Sequence, residues 1–121
     1  MNRILRLTSE NEIEQLTSLS HQRPTLIFKH STACPISSRS YGLYRDYVEG
    51  TPADADVLFT EVYVIEHRTV SNSIAGRFGV RHESPQALLI SNGESVWHAS
   101  HWEITEEAID AARAQATGQG I

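Results

Sequence analysis

Cys34 is the only cysteine in this chain of 121 residues, and Pro35 follows it directly. Proline is favoured at the first position of a helix, where its missing N–H would be unpaired anyway. A sulfur at a helix start faces backbone N–H groups without intrahelical acceptors and the positive end of the helix dipole, and both favour thiolate over thiol. Most lone cysteines behave as small buried hydrophobes. Here an apolar strand before the cysteine and a Cys-Pro helix start after it point to chemistry instead. One thiol excludes an intramolecular disulfide, and it excludes a zinc site built on two or more cysteines of one chain. Ser37 follows one turn later, so its hydroxyl is placed to donate a hydrogen bond to the thiolate. His98 and His101 show a His-x-x-His spacing, but at a strand end they are expected to point apart, so no metal site is expected.

The elements that must position Cys34 follow from hydrophobic periodicity and capping chemistry. Ile4 to Leu7 forms a short leading strand. Ser9-Glu10-Asn11-Glu12 has the form of a capping box, and Ile13, Leu16 and Leu19 recur at helical spacing, giving a helix over 9–20 that Arg23-Pro24 stops. Thr25 to His30 is a nearly continuous apolar run, the pattern of a central strand buried on both faces. A helix from Pro35 to about Val48 comes next, with Ile36, Leu43 and Tyr47 on one side and Tyr41, Tyr44 and Val48 adjoining. Residues 50–56 form a loop by composition. Val57 to Ile65 is a second core strand, and Val70, Ile74 and Phe78 define a helix of about 68–78 with Gly79 as its left-handed cap. Gln86 to Ile90 and Glu94 to Ala99 are strands joined by the Asn92-Gly93 turn. Thr105 caps a final helix, with Glu106 and Glu107 near its positive end, Ile104 and Ile109 as a hydrophobic staple, and Gly118 as its close. The order βαβαβαββα predicts an α/β fold with helices on both faces of a mixed sheet.

Composition bounds the rest. The chain is 40% hydrophobic and 21% charged, enough apolar material for one domain with a core of its own. A formal charge of −5 argues against nucleic-acid binding, which needs a basic field. No run approaches the roughly 18–20 apolar residues of a membrane span, and the N-terminal apolar stretch is too short for a signal peptide. A cytoplasmic location and no membrane partner are expected.

At Cys34 the chain resembles the thioredoxin-like superfamily. Phe78-Gly79-Val80-Arg81, then Pro85, then Gln86-Ala87-Leu88-Leu89-Ile90, then Asn92-Gly93 is similar to the thioredoxin run of aromatic-Gly-aliphatic-Arg, cis-proline, apolar strand and hairpin. The stretch from Phe28 to Ser37, with its Cys34-Pro35-Ile36-Ser37 core, resembles one branch in particular, the monothiol bacilliredoxins of the bacillithiol system. The resemblance covers about residues 10–116. It implies a single three-layer thioredoxin-like domain with a central mixed sheet of four to five strands flanked by helices. Ala33 departs from the Thr or Ser that the family often has. Two further departures separate the chain from dithiol thioredoxins: Ser37 stands where the second cysteine would be, and Phe28 stands six residues before Cys34, where those proteins keep a buried carboxylate.

The implied activity is removal of bacillithiol from mixed disulfides on protein cysteines, with bacillithiol as thiol co-substrate and no tightly bound cofactor. A lower thiol pKa raises the thiolate fraction but lowers nucleophilicity, so its larger benefit is to make Cys34 a good leaving group. The implied partners are bacillithiolated proteins and bacillithiol itself. Bacillithiol is anionic through its malate group, which makes Lys29, Arg39 and Arg81 candidate contacts; Pro35, Ser84 and a cis Pro85 complete the candidate substrate groove. Three other readings stay open on the residues alone: a glutaredoxin-like reductase using another small thiol, a thiol-dependent iron–sulfur carrier, and a redox-inert interaction module.

Overall fold

A computed structural model describes residues 3–117, the side chain of Thr117 excepted. Its elements are β1 (Ile4–Arg6), α1 (Glu10–Leu19), β2 (Thr25–His30), α2 (Pro35–Gly50), β3 (Leu58–Tyr63), α3 (Arg68–Phe78), β4 (Gln86–Ser91), β5 (Glu94–Ser100), a 3-10 turn (His101–Glu103) and α4 (Glu106–Thr117). The five strands form one sheet in the order β1-β3-β2-β4-β5. β1 and β2 run parallel to β3, while β4 is antiparallel to both β2 and β5. This is the expected mixed α/β sheet. Among the described residues no helix is long and apolar enough to cross a membrane.

β2 lies at the centre of the sheet, and all six of its residues are buried. Alternation along a strand sends successive side chains to opposite faces. Leu26 and Phe28 join the cluster beneath α2 and α4, with Tyr44, Tyr47, Phe59, Leu89 and Ile109. Ile27 joins the cluster beneath α1 and α3, with Ile13, Leu16, Val70, Ile74 and Leu88. Each large aliphatic or aromatic side chain fully buried in this way contributes roughly 1.5–3 kcal/mol. The same alternation carries His30 to the α2 layer and Lys29 to the α3 layer.

Several local expectations hold in detail. Glu12 accepts hydrogen bonds from the N–H groups of Thr8 at 2.7 Å and Ser9 at 3.2 Å, closing the start of α1. Gly79 caps α3 with φ 67, and the hairpin turn has positive φ at both Asn92 and Gly93, the pairing that a two-residue hairpin turn of the favoured hand requires. The Thr105 hydroxyl accepts the N–H of Ala108, and the staple residues Ile104 and Ile109 are both buried. Gly118 lies outside the described residues.

Other expectations need correction. α1 ends at Leu19, within one residue of the expected span, with Ser20 as its C-cap and residues 20–23 turning toward the hairpin. α2 extends to Gly50, and its inward face is Ser37, Ser40, Tyr44, Tyr47 and Val48. Ile36 and Leu43, expected on the core side, are only half-buried. Ser37 faces inward because it meets polar partners there, His30 Nδ1 and the Ser31 N–H. β3 is shorter than expected at both ends. The sequence also gave no sign of the 3-10 turn after β5 or of the irregularity in the β4–β5 pairing at Leu89 and Ile90.

Candidate active site

Cys34 occupies the N-cap of α2 in an extended conformation, with φ −117 and ψ 119. Its N–H donates to Ser31 O at 3.2 Å, and its carbonyl accepts the N–H of Ser38 at 3.1 Å. The turn from β2 into the helix is therefore closed on both sides of the thiol. The side chain is half-buried and makes no capping hydrogen bond. The first N–H groups of a helix lack intrahelical acceptors, so they stay available to the sulfur. Pro35, exposed at the first helical position, has no N–H, so the donors open to the sulfur begin one residue later.

Ser37 is fully buried, and its hydroxyl is committed. It accepts the N–H of Ser31 at 2.9 Å and lies 2.8 Å from His30 Nδ1. The second contact has two forms. With the imidazole proton on Nε2, the Ser37 O–H donates to Nδ1 and is used up. With the proton on Nδ1, the ring donates, and the Ser37 O–H is left to point elsewhere on the first turn of α2. Burial pushes the His30 imidazole below its ordinary range, with Glu61 and Glu66 pulling the other way, so the ring is neutral near pH 7 and holds one such proton. His30 is thus a site residue that sequence reasoning missed. Its signal was present: it is the third even-numbered residue of β2, after Leu26 and Phe28, and so must face the helix that carries the thiol.

The polar layer continues away from the sulfur. His30 stacks flat on Tyr41 at 4.3 Å and meets Tyr63 edge-on at 5.5 Å. The Tyr41 hydroxyl donates to Glu61 at 2.7 Å, and Arg6 Nε donates to the other Glu61 oxygen at 2.9 Å. Glu61 is buried and directly opposite Phe28 in the β2–β3 register. The site therefore has a buried carboxylate one strand away from where dithiol proteins keep theirs, but Arg6 and Tyr41 hold it. Phe28 itself packs in the α2 layer, stacked on Tyr44 at 4.9 Å.

The remaining candidate residues fall into two groups. Ser84 and Pro85 are joined by a cis peptide bond. They immediately precede Gln86, whose pair with Lys29 ends the β2–β4 ladder, so they lie at the sheet end from which the chain runs to Cys34. Pro85 is buried, and the Ser84 hydroxyl, also buried, has no partner among the described residues. Arg39 and Arg81 are exposed. Lys29 is a correction. Expected as a cation beside the thiol, it is fully buried on the α3 side, with Nζ 3.1 Å from His82 Nδ1. Its place on an odd-numbered position of a strand buried on both faces sends it away from the sulfur. His101 pairs with Glu83 at 3.4 Å, whereas His98 lies exposed on β5 opposite Leu88.

A mixed sheet between two helical layers, with one half-buried thiol at a helix start and a cis-proline at the same end of the sheet, defines a thioredoxin-fold thiol–disulfide oxidoreductase that works with a single sulfur. Comparison with known proteins agrees. The family model described as monothiol bacilliredoxin BrxC matches residues 5–109, and the chain belongs to that family. Among solved structures, a candidate oxidoreductase with a thioredoxin fold is 30% identical, covers 90% of this chain and 92% of its own, and superposes with a TM-score of 0.77. The thioredoxin of Malassezia sympodialis is 17% identical, covering 97% of this chain and 93% of its own with a TM-score of 0.76. The thioredoxin of Fasciola hepatica is 15% identical, covering 93% and 99% with a TM-score of 0.73. The last two share the fold alone.

Proposed function

We propose that this protein removes bacillithiol from mixed disulfides on protein cysteines. The observation that carries this reading is the single thiol at the N-cap of α2, with the buried Ser37 one turn later where a second sulfur would have to stand. In the first step the Cys34 thiolate attacks the bacillithiol sulfur. The new S–S bond joins Cys34 to bacillithiol, the old one breaks, and the protein thiolate leaves and takes up a proton. In the second step a bacillithiol thiolate attacks the bacillithiol sulfur on Cys34. Oxidised bacillithiol departs, and Cys34 leaves as a thiolate. Disulfide bonds made and broken balance in each step, so no further oxidant or reductant is required.

The remaining residues serve these two exchanges. Ser37, accepting from Ser31 and His30, turns its O–H to the sulfur when His30 carries its proton on Nδ1. The backbone of Ser84, beyond the end of the β2–β4 ladder, pairs with the extended protein substrate across Cys34, and Pro35 and Pro85 shape the groove. Arg39 and Arg81 face the anionic co-substrate. The protein needs no tightly bound cofactor, acts in the cytoplasm, and takes bacillithiolated proteins as partners, with no role for nucleic acid or membrane. The test is a purified bacillithiolated protein with bacillithiol as reductant, followed by intact mass. The wild type removes the adduct and is itself trapped with one bacillithiol on Cys34 when bacillithiol is limiting. Cys34→Ala abolishes removal, while substitution of His98 leaves it intact; comparable removal by Cys34→Ala overturns the reading.

A further inference from the structure

Beyond β5 the backbone turns sharply at His101, which takes φ 53. Its N–H donates to Pro85 O at 3.1 Å, and its ring lies 3.4 Å from the Glu83 carboxylate. The 3-10 turn is thereby tied twice to the segment that carries the cis peptide bond. Trp102 follows at once. It is 63% exposed, more than any other large apolar side chain in the described core and surface, against 53% for Val96 and 46% for Ile65. Its indole is not loose: the Arg39 guanidinium carbon lies 4.7 Å from the ring centroid. Arg39 is itself on α2, five residues after Cys34, and has no carboxylate partner among the described residues. An exposed indole and an unpaired guanidinium are therefore held together between the start of α2 and the Ser84–Pro85 segment.

We infer that Arg39 and Trp102 form the subsite for the non-cysteinyl part of the small-thiol co-substrate, and that they select a thiol bearing both carboxylates and a sugar ring. The assignment rests on the de-bacillithiolation reading and supplies its specificity. A planar guanidinium fork matches a carboxylate with two parallel hydrogen bonds, and one without an internal partner is ready to do so. The open face of the indole offers a flat apolar surface to the C–H face of a sugar. The charge of the whole chain is −5, so an anionic co-substrate needs a local cation of this kind. Stacking on Trp102 limits the rotamers of Arg39 and preorganises the fork at little further entropic cost.

The test uses one peptide carrying either a bacillithiol or a cysteine mixed disulfide, in single turnover with the reduced full-length protein. Cysteine presents the same sulfur chemistry without sugar or malate. The wild type reacts faster with the bacillithiolated peptide. Trp102→Ala and Arg39→Gln each lower that rate by about fivefold or more, the loss that one exposed cation–π or charge-assisted contact carries, and lower the cysteinylated rate by a clearly smaller factor. Trp102→Phe, which keeps an aromatic face, restores most of the preference. Two results overturn the subsite: variants that keep the wild-type preference, and variants that slow both peptides equally, as a surface for the protein part of the substrate would. A wild type that fails to cleave the bacillithiolated peptide at all overturns the underlying activity instead, and is recognised before any variant is compared.

Discussion

A lysine buried at the end of a central strand, with no carboxylate to meet it, is costly, and among the described residues Lys29 is such a residue. Its ammonium lies 3.1 Å from His82 Nδ1, and His82 in turn lies 3.3 Å from the Ser71 hydroxyl. Burial lowers the Lys29 pKa to about 8 from an ordinary 10.5. The folded value is below the unfolded one, so between those two pH values the unfolded chain binds more protons and stability rises with pH. At about 1.4 kcal/mol per unit, the charged form costs the fold on the order of 3 kcal/mol below pH 8. Lys29→Met keeps the volume and removes the charge. It should raise the urea midpoint at pH 7.5 and abolish the further gain that the wild type shows by pH 9.5. A window ending there avoids Tyr41 and Tyr47, whose pKa values burial raises above 10 and whose effect is to lower stability at still higher pH. An unchanged midpoint for Lys29→Met at pH 7.5 contradicts the argument. The contrast with Cys34 shows what a sequence exposes at this scale. The setting of Cys34 is written in its immediate neighbours. Lys29 and Glu61 are defined by partners 53 and 55 residues away, which no local pattern announces.

The elements were more legible than the residues they present, because each is set by short-range rules. Periodicity, caps and the Asn92-Gly93 turn specify four helices and five strands in the right order, and β2 and α3 at their observed bounds. What failed was the inward face of α2, where hydrophobicity alone favours Ile36 and Leu43 over Ser37 and Ser40. Ser37 faces inward because His30 and the turn at Ser31 supply partners from outside the helix, and a helical wheel does not contain them. The end of α1 is also tied to partners from outside the helix. Ser20 is buried, its hydroxyl donates to Thr17 O at 2.6 Å and accepts the N–H of Gly93 at 2.9 Å, and its carbonyl accepts the N–H of Asn92. One serine thus locks the end of α1 to the tip of the β4–β5 hairpin. Ser20→Ala leaves the Gly93 N–H without its acceptor in a half-buried place, and should cost about 1–3 kcal/mol. A urea titration reads it as a lower midpoint with unchanged slope. Full wild-type stability in Ser20→Ala would show that the hairpin tip is held by other contacts.

The molecule as a whole has one thiol, and this limits it more than any detail of the site. Every cycle must draw its second sulfur from outside, so the intermediate is a mixed disulfide with no internal exit. Adding a sulfur at Ser37 tests whether the surroundings are adapted to that limit. Ser37→Cys puts a thiol one helical turn from Cys34, where an internal disulfide is sterically possible. The surroundings do not help it. Position 37 is fully buried, Phe28 stands where a base for the new thiol would be, and Glu61, the buried carboxylate of the polar layer, is held by Arg6 and Tyr41. The exchange also replaces a hydroxyl bonded to Ser31 N–H and His30 Nδ1 with a sulfur that is a weaker partner for both. Turnover of Ser37→Cys with the small thiol alone should therefore be lower than, or equal to, that of the wild type, because part of the intermediate diverts into a disulfide that must be reduced again. Adding a thioredoxin-type reductant should recover the diverted fraction in the variant and leave the wild type unaffected. Steady-state rates with and without that reductant decide the matter, alongside circular dichroism to confirm that the variant is folded. A several-fold rise in small-thiol turnover from Ser37→Cys alone would mean that the site is built for dithiol exchange, and that the single sulfur is a loss and not a design.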